Sequence, residues 1–245
     1  APGSTFNVGA ALGSYQSHTT GWTYSSVVCF AEGTLIETDQ GPQKVETLEP
    51  EARIALAGGG FSSLRLNLLS AVSAVQMQEF ENLRPVHISA GALGEDLPKR
   101  DLRVSRQHRM QVSSPVAQRM FGETDVLIAA VRLIEMPGIY IDQAKDALNY
   151  YHLVFDRHQV VLAEGAPAES FYIGREAIAA LNPDARGEVL TLFPHLARKK
   201  RIMKPANMIP ARIQQKQLIA RHVRNEKPLL DAGLAQVALA QNAAL

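Results

Sequence analysis

Short β-prone runs punctuated by turn residues constrain this chain more than any other feature. Such runs fall at 27–30, 34–37, 44–45, 53–56, 84–88, 102–104, 110–112, 126–129, 138–141 and 150–162, with turn signals at Asp39-Gln40-Gly41-Pro42 and Gly58-Gly59-Gly60. Punctuation this frequent predicts an all-β body and not a succession of alternating β and α units.

After Gly174 the pattern changes. Segments 175–181, 187–196 and 212–223 carry apolar residues at helical spacing, broken by Pro183, Pro194, Pro205, Pro210 and Pro228. They predict a helical C-terminal part, with Glu188, Val189, Leu192 and Phe193 on a face that packs back on the β body. The Ala- and Gln-rich stretch 234–245 reads as a loosely docked helix. Residues 1–27 are rich in Gly, Ser and Thr and nearly free of charge, the composition of a leader or linker. The expected organisation is a leader at 1–27, a β domain at 28–174 and a helical extension at 175–245.

Composition removes several classes of function. Basic side chains number 25 against 24 acidic, a formal charge of +1, whereas a dedicated nucleic-acid binder needs a basic excess or stripe. The cluster Arg198, Lys199, Lys200, Arg201 and Lys204 reads as a solvated helix end. No apolar run reaches the ~20 residues of a membrane span. One cysteine, Cys29, excludes an internal disulfide and a multi-thiolate metal site. The histidines lack a metal-ligand spacing, and Gly58-Gly59-Gly60 is not followed by the Lys-Ser/Thr of a phosphate loop. Neither a metal nor a cofactor is expected. The N-terminus shows no secretory signal, and the compartment stays open.

Cys29 on its own reads as an inert small hydrophobe in an apolar run. Its neighbourhood opens a second reading. A polar leader ends just before it, Gly33 and Thr34 follow, and histidines lie downstream, the inventory of a thiol nucleophile with a proton-transfer partner.

The run Cys29-Phe30-Ala31-Glu32-Gly33-Thr34-Leu35-Ile36-Glu37-Thr38, followed by Gly41-Pro42 and Val45-Glu46-Thr47-Leu48, resembles the opening block of a Hint domain in its bacterial form. This is the module shared by hedgehog autoprocessing domains and inteins. The stretch Leu102-Arg103-Val104-Ser105-Arg106-Gln107-His108 is similar to the family's Thr/Ser-x-x-His block. Tyr150-Tyr151-His152-Leu153, Asp156-Arg157-His158 and the sequence from Val160 through Gly165 to Phe171 resemble its closing strands. The resemblance covers about residues 28–174 and implies a pseudo-symmetric β horseshoe with a helical C-terminal extension.

It also implies a reaction. Cys29 attacks the carbonyl of Val28, giving a thioester and a free amine in an N-to-S acyl shift; the chain's own N-terminal segment is the substrate. His108 protonates the departing nitrogen and Ser105 orients the amide. Imidazole suits that task because its ordinary pKa lies near neutrality. His158 stands seven positions before Gly165, as a histidine of the penultimate intein block does, and is expected either to assist or to pair with Asp156. His87 and His152 read as structural, and His18, His195 and His222 have no motif behind them. Two departures matter. Ser170, preceded by Glu169, occupies the position of the terminal intein Asn, so splicing is not expected and the leader is released to water, a thiol or another small nucleophile. Glu51-Ala52 replaces a common Gly-Asp. The alternatives are a catalytically inactive Hint-like interaction or structural module, and a cysteine hydrolase acting on foreign peptides.

Overall fold

The structure, a computed structural model, describes residues 28–172, 183–192 and 204–231. The leader expected at 1–27, segment 175–181, Arg198, Lys199, Lys200, Arg201, the tail 234–245, His18 and His195 lie outside the described residues.

In chain order the strands are β1 (Phe30–Ala31), β2 (Leu35–Thr38), β3 (Gly41–Lys44), β4 (Arg53–Ala55), β5 (Phe61–Ser63), β6 (Leu66–Val72), β7 (Val86–Ile88), β8 (Leu102–Val104), β9 (Arg109–Ser113), β10 (Asp125–Ala129), β11 (Ile139–Ile141), β12 (Leu148–Val154), β13 (Val160–Ala163) and β14 (Ala166–Glu169). They form two antiparallel sheets. One runs β11-β7-β8-β1-β12-β6; the other runs β10-β9-β14-β13-β2-β4-β5, with β3 also on β2. Burial alternates along β2, β7 and β8, so one face of each strand turns inward. Phe30, Ile36, Ile54, Leu102, Met110 and Val161 meet in one core shared by both sheets. The unbroken apolar run of β13 is buried along its whole length. Glu164 and Gly165, with φ of 48° and 77°, make the two-residue hairpin turn from β13 to β14.

The all-β expectation agrees with this architecture, and most expected runs become strands. The run 150–162 is broken at 155–159 into β12 and β13. Strand β6 and two short helices, α1 (Ala74–Glu79) and α2 (Pro115–Phe121), are additional. Both helices are defined by their caps: Ser73 and Gln76 form a capping box, while Ser114 caps α2, Pro115 opens it and Gly122 closes it at φ 77°.

The described C-terminal residues comprise α3 (Pro183–Leu192), α4 (Arg212–Arg224) and extended chain around α4. Val189 is buried, as expected of the inner face of α3; Glu188, Leu192 and Phe193 fall outside the described side chains. Segment 204–231 is woven into the body. Met208 bridges Val126 on β10, Leu230 bridges Ser113 on β9, and Leu218, Ile219, Leu229 and Leu230 enter the main core. No helix among the described residues is long and apolar enough to cross a membrane.

The strap docks on a backbone that tolerates no side chain. An added Cβ at Gly94, where φ is +99°, would stand 2.5 Å from Pro228 Cβ and 2.8 Å from Leu230 O. Gly94→Ala is therefore expected to lower the unfolding free energy by ~1–3 kcal/mol, read as an earlier urea midpoint. An unchanged midpoint would show that the strap does not depend on this close approach.

Candidate active site

Register places Cys29. Strand β1 lies between β8 and β12, pairing Phe30 with Val104 on one side and with Tyr151 on the other. One residue earlier, the same antiparallel registers set Cys29 across from Ser105 and from His152. Residues 105–108 then close a turn, with His108 N–H donating to Ser105 C=O at 3.0 Å, before β9 enters the second sheet. The corner between the sheets thus brings Ser105 and His108 to the end of β1.

The peptide bond between Val28 and Cys29 is gripped at both ends. Its carbonyl oxygen accepts from His152 Nδ1–H at 2.8 Å. Its N–H donates to Ser105 Oγ at 3.1 Å. The next carbonyl, that of Cys29, accepts from Ser105 N–H and from His108 Nδ1–H, each at 3.1 Å. A carbonyl oxygen only accepts, so each neutral imidazole carries its proton on Nδ1 and leaves Nε2 a lone pair. His152 Nε2 accepts from Ser70 Oγ–H at 2.9 Å and lies 3.8 Å from Cys29 Sγ. Among the described residues His108 Nε2 is buried without a hydrogen-bond partner, and Phe30 packs edge-on to the ring at 4.4 Å.

Burial sets the ionisation states. Cys29 is 5% exposed and packs with Val72, Met77, Leu83 and Tyr150. Desolvation pushes its thiol well above the ordinary range, and a hydrogen bond with Ser105 lowers it only in part. Burial brings His108 down to about 4, with the Glu169 carboxylate and the Cys29 carbonyl acting the other way. Burial likewise brings His152 down to about 4, opposed by the Val28 carbonyl. The resting groups are therefore a thiol and neutral imidazoles. His152 can take the thiol proton on Nε2 while its Nδ1–H faces the oxygen that gains negative charge during attack.

The structure brings Cys29, Ser105 and His108 together, with the His108 hydrogen bond falling one carbonyl beyond the Val28–Cys29 peptide. His152 differs from its expectation: the residue read as structural contacts both the Val28 carbonyl and the sulfur. Only the long-range β1–β12 pairing reveals this, because a histidine inside an apolar strand has no sequence signature of its own. His158 lies against Glu169, its Nε2 3.2 Å from Oε2, with Nδ1 accepting from Ala206 N–H at 2.9 Å. Asp156, the other candidate partner, pairs with Arg65 at 3.3 Å. His87 stacks on Tyr140 at 4.6 Å and pairs with Asp101, as a structural residue would. His222 is buried between Ser114 Oγ and Lys227 C=O.

Both departures from the family pattern have a local account. Ser170 Oγ accepts from Gln159 N–H at 2.9 Å, so this position holds a closing strand and offers no side-chain amide. Glu51 takes φ 70°, a conformation glycine adopts freely, and its carboxylate pairs with Arg65 at 2.9 Å. The turn survives the replacement. A cavity of about 360 Å³ lined by Leu56, Gln111, Asp125, Leu162, Asn207 and Leu230 does not include Cys29 in its walls. Among the described residues no cluster of three or more His, Cys, Asp or Glu could hold a metal ion.

Residues 28–175 match the family described as Hint domain. Among solved structures the chain is similar to the gp41-1 intein, at 10% identity and a TM-score of 0.35, covering 58% of this chain and 97% of that one. It is also similar to a bacterial intein-like domain from Clostridium thermocellum, at 11% identity and a TM-score of 0.37, again covering 58% and 97%. No curated protein matches the chain.

Two neutral buried imidazoles make stability depend on acid. His108 and His152 bind a proton near 6.5 when unfolded but only near 4 when folded. The unfolded state therefore holds more protons between those values, and stability falls as pH drops through that window. Each histidine contributes on the order of 3 kcal/mol. Urea unfolding at pH 7 and pH 4.5 is expected to show the loss, and equal stability at both would contradict the burial of neutral rings.

Proposed function

The chain belongs to the Hint domain family, and on that premise we propose that it cleaves itself once, between Val28 and Cys29, without splicing. The observation that carries this reading is the two-ended grip on that peptide, His152 on the carbonyl oxygen and Ser105 on the N–H.

The step begins with transfer of the Cys29 thiol proton to His152 Nε2. The thiolate adds to the Val28 carbonyl carbon, and the electron pair of the C=O bond moves to oxygen. There the imidazolium Nδ1–H stabilises it. The nitrogen of Cys29 then becomes pyramidal and basic. His108, poised one carbonyl away, gives its Nδ1 proton to that nitrogen and takes up on Nε2 the equivalent of the thiol proton that His152 releases, so the proton lost by sulfur is the one gained by the amine; its depressed pKa makes the proton easy to surrender. The C–N bond breaks, the oxygen's electron pair re-forms the carbonyl, and a thioester and a free amine result. Nucleophile and carbonyl belong to adjacent residues, so little translational entropy is lost. Ser70, half-exposed on β6, gives the proton held on His152 a path to solvent. Water, a thiol or another small nucleophile then takes the acyl group and frees the N-terminal segment. Ser170 supplies no side-chain amide to cyclise, which supports cleavage without ligation.

A catalytically inactive module is the second reading, and the burial of the thiol favours it. Action on foreign peptides lacks such support, since the 5% exposure of Cys29 leaves no opening for a separate substrate.

Incubation with dithiothreitol followed by intact mass measurement tests the proposal. A fragment of residues 29–245 is expected, absent in Cys29→Ala. The cleavage rate should fall ~100-fold or more in His152→Phe and in His108→Ala, the usual contribution of a positioned acid or base. A folded wild-type chain whose mass never changes would reject cleavage and favour the inactive module.

A further inference from the structure

The cavity of about 360 Å³ is walled by the second sheet, the turn after β4 and the strap, and Cys29 takes no part in it. Leu56, Leu97, Val160, Leu162 and Leu230 contribute apolar surface, and Gln111, Ser113, Asp125 and Asn207 contribute polar groups. The polar groups are joined in one direction. Asn207 Nδ2–H donates to Gln111 Oε1 at 2.8 Å, Gln111 Nε2–H donates to Ser113 Oγ at 3.0 Å, and Ser113 Oγ–H donates to Asp125 Oδ1 at 2.6 Å. Each link uses a donor, so the ladder ends on a carboxylate. Asp125 is the only charged residue in the walls. Among the described residues no donor reaches its Oδ2, no cation pairs with it, and Asn207 Oδ1 is likewise a spare acceptor.

We propose that this cavity binds a small amphiphilic amine, with its ammonium group on Asp125 and Asn207 and its apolar body against the leucines. The site is separate from the self-cleavage reading and does not depend on it. A lone carboxylate with spare acceptors beside it calls for a ligand that brings donors and a positive charge, and a half-buried site strengthens such a charge-assisted bond. An anion is repelled there, and an uncharged alcohol leaves the carboxylate uncompensated. The volume falls at the lower end of the range for small-molecule sites, and the mixture of apolar wall with few polar groups is the usual one. The polar groups are also held in place before any ligand arrives. Ser113 and Asp125 stand opposite each other in the β9–β10 register. The strap clasps both strands: Leu127 N–H donates to Met208 C=O at 2.8 Å, Ser113 N–H to Leu229 C=O at 2.9 Å, and Asp231 N–H to Ser113 C=O at 3.0 Å. Little ordering is therefore needed on binding. Asn207 and Leu230 belong to the strap and the remaining walls to the β body, so a bound amine touches both and holds the strap down.

The test adds phenethylamine at millimolar concentration to the full-length chain carrying ¹³C-labelled leucine methyls, with phenylacetate and phenethyl alcohol as the anionic and neutral counterparts. The amine is expected to move the methyl signals of Leu56, Leu162 and Leu230 to saturation. Phenylacetate should leave them in place, and the alcohol should bind ~10-fold more weakly or worse, the difference a hydrogen bond to a charged group makes. Asp125→Asn, nearly the same shape, should weaken the amine by a similar factor and leave the alcohol unchanged. At saturating amine the Leu230 N–H, which donates to Leu93 C=O at 2.8 Å, should exchange with solvent more slowly as the strap is held down. Methyl signals that never move, equal affinity for amine and alcohol, or undiminished amine binding in Asp125→Asn would each overturn the proposal. Exchange at Leu230 that ignores saturating amine would overturn a site shared by strap and body. The comparison of the three probes on the wild type decides the matter even if Asp125→Asn fails to fold, and a chain that does not cleave itself leaves every one of these outcomes in force.

Discussion

The hydrogen bond from His152 to the Val28 carbonyl, opposed by the one from Cys29 N–H to Ser105, is the constraint on which the site depends. It exists because a two-residue strand, β1, is flanked on both sides. Phe30 pairs with Val104 on β8 and with Tyr151 on β12, and no independent element is needed to place Ser105 or His152. The positions follow from two registers. A one-residue slip in either would turn the facing side chain to the opposite side of the sheet. Phe30 fixes both registers by inserting its ring into the common core, where it also packs against His108.

The same burial that fixes the geometry opposes reactivity. A desolvated thiol resists ionisation, and a desolvated imidazole resists protonation. The buried His108 Nε2 without a hydrogen-bond partner costs on the order of 1–3 kcal/mol. A fold selected only for stability would fill this place with hydrocarbon. Retaining the polar groups makes sense if the thiol proton moves to His152 across 3.8 Å, so that the thiolate forms only beside the imidazolium. The core on both sides, the α4 strap and the second sheet supply the stability that such a site consumes.

How much of this was legible in the sequence follows from which signals are local. The strands around Ile36, Leu102 and Met110 are bounded by turn residues and alternate in burial, so their existence could be read directly. Ser105 and His108 could be named as a pair only through the family resemblance, which their three-residue spacing carries. His152 could not. Its role comes from a pairing with Cys29 separated by 123 positions, and nothing near it in sequence marks a polar function. His158 shows the converse: its spacing to Gly165 is right, yet its partners are Glu169 and the strap. Strand β6, which carries Ser70, is missed because it runs into Ser73 and α1 without Gly, Pro or Asp to punctuate it. The short helices were announced by Ser73-x-x-Gln76 and by Ser114-Pro115 before Gly122, signals that periodicity alone overlooks.

The grip on the peptide bond can be observed in solution. Because the chain has one cysteine, labelling with [¹⁵N]Cys and [1-¹³C]Val isolates a single amide correlation, that of Cys29 with the Val28 carbonyl. The account predicts a Val28 carbonyl carbon displaced downfield by the His152 hydrogen bond and returning toward its ordinary position in folded His152→Phe. A carbonyl shift identical in the two proteins would mean that His152 does not hold this oxygen, and the site as described would not exist.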